Sequence, residues 1–153
     1  MSEQIAVDPV LFEDMVNFYS EFFHLPPLAS KIHTYLIFDL ARRGITFEEI
    51  VEEFSVSKST VSTSLHLLLH LQLIREEKSE GRKRRFFINH GFTKIRFEQL
   101  LQRLQKEDEL LGRLSEHFAK QGTYPKSKFG VYRDILKVSI QNIENALRRL
   151  YHE

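Results

Sequence analysis

Apolar residues recur along this chain first at helical spacing, then in alternation, then at helical spacing again. Leu11, Phe12, Met15, Val16, Phe18, Tyr19, Phe22 and Phe23 cover well over half the circumference of a helix that opens at Asp8-Pro9 and runs to about His24. Leu25-Pro26-Pro27 breaks the chain, and Leu28 to Arg42 reads as a second helix that buries Leu28, Ile32, Tyr35, Leu36 and Leu40 and ends at Arg43-Gly44. Thr46-Phe-Glu-Glu49 is a capping box for a short helix with Phe47, Ile50, Val51 and Phe54 facing inward. After a turn at Ser55 to Ser57, Ser57 caps a helix to about Leu71, whose Val61, Leu65, Leu68 and Leu69 make one apolar stripe.

Leu73 to Lys78 and Arg84 to Asn89 are strand-like runs with the turn residue Gly81 between them, and Ile45 adds a third short strand. A long helix follows from Phe92 to Gln121, with Phe97, Leu100, Leu104, Leu111, Leu114 and Phe118 on one seam, Glu107 interrupting it and Gly112 offering a place to bend. Beyond residues 122–126 a last helix carries Phe129, Leu136, Ile140, Ile143, Leu147 and Leu150 on a similar stripe. Helix, turn, helix, then a two-stranded hairpin predicts a mainly α fold: a winged helix-turn-helix with a β-hairpin wing and flanking N- and C-terminal dimerisation helices. The terminal stripes exceed what one small domain needs. They point to an antiparallel helical hairpin that pairs with its symmetry mate and is sealed by the N-terminal helix. The corresponding division is residues 1–27 contributing to dimerisation, 28–91 binding DNA, and 92–153 dimerising.

Charge sharpens this picture. Phe54 to Arg75 contains no Asp or Glu, although Glu52, Glu53, Glu76 and Glu77 stand on either side of it. The overall net charge is +1, but residues 1–30 carry no Lys or Arg and residues 54–96 hold the basic excess, as steering toward a polyanion requires. The outer side of the fourth helix presents Ser59, Ser62, Thr63, His66 and His70, short donors and acceptors that can approach a base edge or a phosphate. A solvated face would more often use Lys and Glu than Ser and Thr, which are mediocre helix formers. Arg82, Lys83, Arg84 and Arg85 lie at the wing tip and the start of the returning strand. Neighbours on a strand alternate, so Arg82 with Arg84, or Lys83 with Arg85, would act as a set.

The run SVSKSTVSTSLHLLLHLQLI followed by EGRKRRFFI resembles the winged helix of the MarR/GbsR-like transcriptional regulators, over about Leu28 to Asn89. Gln72 stands where that family usually has Gly before the first wing strand. The resemblance implies a homodimeric regulator on a pseudo-palindromic operator in double-stranded DNA. Ser57, Lys58, Ser59, Thr60, Ser62, Thr63 and His66 of the recognition helix and Arg82, Lys83, Arg84 and Arg85 of the wing are its DNA-contacting candidates. It also implies a small-molecule effector of unspecified identity as a second candidate partner. The aromatic residues of the first helix, with Tyr35, could form a cage for a quaternary amine, although aromatic stripes at this spacing are more often core. A winged helix that binds protein instead of DNA is the rival reading.

Enzymatic readings fare poorly. There is no Gly-rich phosphate loop and no Cys, which excludes disulfides, thiolate metal sites and cysteine nucleophiles. His66 and His70, four apart, lack a visible third ligand for zinc. The reading therefore includes no cofactor and no metal. No run approaches the ~18 uninterrupted apolar residues of a membrane span, and the start, MSEQIAVDP, has neither a basic nor an apolar leader region, so a cytoplasmic, membrane-free location is expected.

Overall fold

The computed structural model describes residues 5–78, 81, 83–123 and 127–152, which fall into two compact units, residues 1–90 and 91–153. In the first unit, α1 (Pro9–Phe22) begins where the Asp8 carboxylate accepts from the Leu11 N–H at 2.9 Å. It packs on α2 (Pro27–Ile37) through Val16, whose carbonyl accepts a buried hydrogen bond of 2.6 Å from the Ser30 hydroxyl. Then come β1 (Ile45–Thr46), α3 (Phe47–Phe54), α4 (Lys58–His70), β2 (Ile74–Lys78) and β3 (Arg84–Ile88), the strands forming an antiparallel sheet in the order β1-β3-β2. Ala29, Ile32 and Leu36 of α2, Ile50 of α3, Val61, Leu65 and Leu68 of α4, and Ile74 and Phe86 of the sheet are the core.

Local chemistry sets most boundaries. Thr46 and Glu49 exchange both bonds of the capping box that starts α3, at 3.2 and 2.8 Å. The helix-turn-helix corner is made by Ser55, in the left-handed region at φ 50. Tyr35 ties α2 to α3: its ring lies edge-on to Phe54, centroids 5.6 Å apart, and burial together with the Glu53, Glu49 and Asp39 carboxylates pushes its phenol up to about 12. Tyr35 therefore does not join the α1 rings in a cage. Those rings pack on one another, Phe18 stacking on Phe22 at 5.5 Å and Tyr19 on Phe23 at 5.6 Å.

One predicted helix is too long. α2 stops at Ile37 instead of Arg42, and Leu40, expected in the core, is 91% exposed. The Asp39 carboxylate accepts from the backbone N–H groups of Arg43 (3.3 Å) and Gly44 (3.0 Å), and this local bonding competes with further helix. Arg42 and Gly44 are both left-handed there, at φ 50 and 74. Gly44 is required for a second reason: a Cβ at that position would lie 2.4 Å from the Phe87 ring.

α4 ends in a Schellman motif. The Leu73 N–H donates to the Leu68 carbonyl and the Gln72 N–H to the Leu69 carbonyl, both at 3.0 Å, with Gln72 left-handed at φ 61 and Leu68 and Leu73 buried against the core. α5 ends with the same bonds but places Gly122 at the left-handed position. The glycine that Gln72 replaces in the resembling family is thus explained by backbone geometry.

The second unit is α5 (Phe92–Lys120) and α6 (Ser127–Tyr151), an antiparallel pair. Tyr151 hydrogen-bonds Glu98 at one end, Gln105 donates to Glu144 (3.2 Å) in the middle, and Arg133 pairs with Asp108 (3.2 Å) toward the other end. Tyr132 hydrogen-bonds Glu107, the residue that breaks the α5 seam. Gly112 sits within the continuous α5, where a Cβ would come within 3.3 Å of the Arg133 guanidinium. Leu136 and Leu147 alone among the described residues of the pair are buried apolar side chains, whereas Leu110, Leu114, Val131, Ile135 and Val138 stay exposed.

Two stability predictions follow from these features. A left-handed residue other than glycine costs about 1–2 kcal/mol, partly offset by the greater unfolded-state freedom of glycine, so Gln72→Gly should raise unfolding free energy by about 0.5–1 kcal/mol in denaturant titration. His33 is buried between α1 and α2, edge-on to Tyr19 (4.8 Å) and Phe23 (5.9 Å), its Nδ1 has no hydrogen-bond partner among the described residues, and burial lowers its pKa to about 4. Folding therefore excludes a proton that the unfolded chain binds below its ordinary pKa near 6.5. This contribution is harmless above that value and costs up to about 1.4 kcal/mol per pH unit as pH falls toward 4. Comparing His33→Phe with the wild type across this window should show a shallower loss in the variant; parallel curves would refute it.

Candidate nucleic-acid interface

Burial of Val61, Ser64, Leu65 and Leu68 turns the opposite side of α4 outward. Ser57 is the cap: its Oγ accepts from the Thr60 N–H at 3.3 Å and lies 2.6 Å from the Thr60 hydroxyl and 3.2 Å from that of Ser59. Ser57 and Thr60 are thus engaged in starting the helix. Lys58, Ser59, Thr63 and His66 are exposed, and Ser62 is half-buried. Thr63 donates its hydroxyl proton to the Ser59 carbonyl (3.0 Å), which leaves it an acceptor and a methyl group for a partner. α3 carries Glu48 and Glu49 in its first turn, where they offset the positive end of the helix dipole. α4 has no acid there, so its positive end is left for an external anion.

The wing separates its basic residues by the pleat. β2 and β3 pair Ile74 with Ile88, Glu76 with Phe86 and Lys78 with Arg84. Ile74 and Phe86 are core, so Glu76 and Arg84 share the face that looks toward α4, and Arg75, Glu77, Arg85 and Phe87 occupy the other. Arg84, with a side chain 57% exposed, pairs with Glu76 at 3.1 Å. Arg85 donates to the Gly44 carbonyl at 3.1 Å, a fold contact spanning 41 positions in the chain. Lys83 is exposed, and Arg82 lies outside the described residues.

Between α4 and the wing runs a cleft of about 430 Å³ that brings Ser62 and His66 together with Lys83 and Arg84 over a floor of Phe47, Leu65, Leu69 and Phe86. Glu48 and Glu76 also border it. These two carboxylates are the site residues that sequence reasoning missed. The signal for Glu76 was present, since it sits two residues from Ile74 on one strand face. His66 and His70 acquire no company: no group of three or more metal-ligating side chains is placed to hold an ion among the described residues. Nor is any described helix long and apolar enough to cross a membrane.

Residues 30–85 match the profile of the MarR family. The chain is also similar to a solved structure described as a transcriptional regulator, with 18% identity and a TM-score of 0.55 over 93% of this chain and 96% of that one. More distant are a MarR/EmrR family transcriptional regulator from Acinetobacter sp. ADP1 (13% identity, TM-score 0.42, 92% of this chain and 88% of that one) and the transcriptional regulator SlyA (15%, 0.40, 92% and 91%). No curated protein matches the chain. Family profile over residues 30–85, three-stranded sheet topology and an acid-free α4 converge: the chain carries a winged helix-turn-helix similar to that of the MarR family.

Proposed function

We propose that this protein is a DNA-binding transcriptional regulator that acts as a homodimer on a pseudo-palindromic operator. Each recognition helix enters a major groove with Lys58, Ser59, Ser62, Thr63 and His66 toward the base pairs, and each wing contacts the neighbouring minor groove or backbone through Arg82 and Lys83. The observation that carries this reading is the cleft in which Ser62 and His66 on the outer side of α4 meet Lys83 and Arg84 of the wing. Residues 28–91 supply the DNA-binding part, residues 92–153 the dimerisation hairpin, and residues 1–27 add to the dimer.

Support for a second copy comes from unburied apolar surface. On α6, Val131, Ile135 and Val138 are each close to 60% exposed at spacings of four and three, and Leu110 and Leu114 are exposed on α5. Phe18 and Phe22 of α1 are also about half exposed. Two helices that bury so little of their apolar surface against each other gain most by meeting a like pair.

Selection from a random-sequence duplex library should return an inverted repeat with half-sites about 34–36 Å apart. If about 6–10 phosphates are contacted, affinity should drop about 10³- to 10⁵-fold between roughly 50 and 200 mM salt. Arg82→Ala with Lys83→Ala should weaken binding to all sequences and flatten the salt slope by about 0.9 per lost contact, while substitutions of Ser62 or Thr63 should change the preferred sequence. An unchanged slope in the wing variant would remove the wing from the interface, and indifference to duplexes at low salt would favour the protein-binding rival. Ile135→Glu with Val138→Glu should convert the dimer to monomer in sedimentation, because exposed substitutions on a monomer are nearly neutral whereas buried charge in a seam is not. A dimer that persists in this variant excludes that strip as the seam.

A further inference from the structure

The cleft contains a carboxylate that a surface built only to attract phosphate would not have. Glu76 is the first residue beyond the core on the inner face of β2, its side chain only 26% exposed, and its partner 3.1 Å away is Arg84. The next acid along the strand, Glu77, lies on the opposite face and pairs with Arg75. Of these two neighbouring glutamates, therefore, only Glu76 stands in the cleft with Ser62 and His66.

We propose that Glu76 is a specificity-determining positioning residue, which cancels the charge of Arg84 while holding its guanidinium in register with Ser62 and His66 for a base edge. This rests on the DNA-binding reading above. Non-specific affinity comes from net positive charge against phosphates, whatever the sequence, so an arginine neutralised by a neighbouring carboxylate contributes little to it. Its hydrogen-bond donors remain. A guanidinium has five of them in a planar fork, and one carboxylate leaves others to meet a guanine or thymine edge. Holding the long side chain in place before DNA arrives also lowers the entropy lost on binding, a gain confined to the sequence that matches the held position. Without the carboxylate, Arg84 becomes a mobile cation that any phosphate satisfies.

The test measures binding of wild type and Glu76→Gln to the duplex recovered from the random library and to a scrambled duplex of the same length and composition. Glu76→Gln should bind the scrambled duplex more tightly with a salt slope steeper by about 0.9 per protomer. Its preference for the selected duplex should fall by about tenfold per half-site, the scale of one lost base-edge contact. In an Arg84→Ala background the substitution should no longer alter the preference. Glu77→Gln changes net charge equally on the other face and should leave the preference intact. A preference unchanged or increased in Glu76→Gln, equally altered by Glu77→Gln, or still altered without Arg84 overturns the assignment. If wild type selects no sequence at all, the operator reading fails instead, a result distinguishable from the first.

Discussion

The candidate recognition surface depends on how one side of α4 is clamped. Val61, Leu65 and Leu68 are buried against α2 and the sheet, where Ala29, Ile32, Leu36, Ile74 and Phe86 complete the same core. Burying each large aliphatic side chain contributes roughly 1.5–3 kcal/mol, more than the Ser- and Thr-rich sequence of α4 gains from helix propensity. Packing therefore holds the helix, and its periodicity then decides the rest: with positions 61, 65 and 68 inward, Ser59, Thr63 and His66 face out. The clamp also fixes the wing, because Phe86 belongs both to that core and to the strand that carries Arg84.

Much of the winged helix was legible in the sequence because its signals are local. The Asp8, Thr46 and Ser57 caps, the alternating strands and the short strand at Ile45 each depend on a few neighbouring residues, and each stands where it was read. What escaped depends on contacts between distant positions or on side chain and backbone competing for one hydrogen bond. The end of α2 was read from apolar spacing, which Leu40 continues, but Asp39 had already turned the backbone through Arg43 and Gly44. Four adjacent basic residues look alike in a sequence; pairing with β2 gives Arg84 a carboxylate and sends Arg85 to a carbonyl in the loop before β1. Glu76 was overlooked beside Glu77, although strand alternation from the buried Ile74 puts Glu76 on the inner face and Glu77 on the outer one.

The two units reach stability by different routes. Residues 1–90 wrap helices around a small sheet and bury eleven Val, Leu and Ile side chains, whereas in the hairpin of residues 91–153 only Leu136 and Leu147 are buried among the described residues and polar crosslinks such as Gln105 to Glu144 and Arg133 to Asp108 join the helices. Partly exposed pairs of that kind specify alignment more than they stabilise it. They set the register of α5 against α6 while leaving apolar rows outside.

Gly44 and Gln72 are both left-handed, yet they constrain the chain in different ways. At 72 the demand is only torsional, and a side chain with open space around it meets it at modest cost. At 44 the demand is also one of room, since the Phe87 ring occupies the place any β-carbon would take. Tolerance to mutation should therefore diverge: the first site can drift among many amino acids with graded penalties, while at the second even a methyl group must lever the base of the wing away from its neighbour.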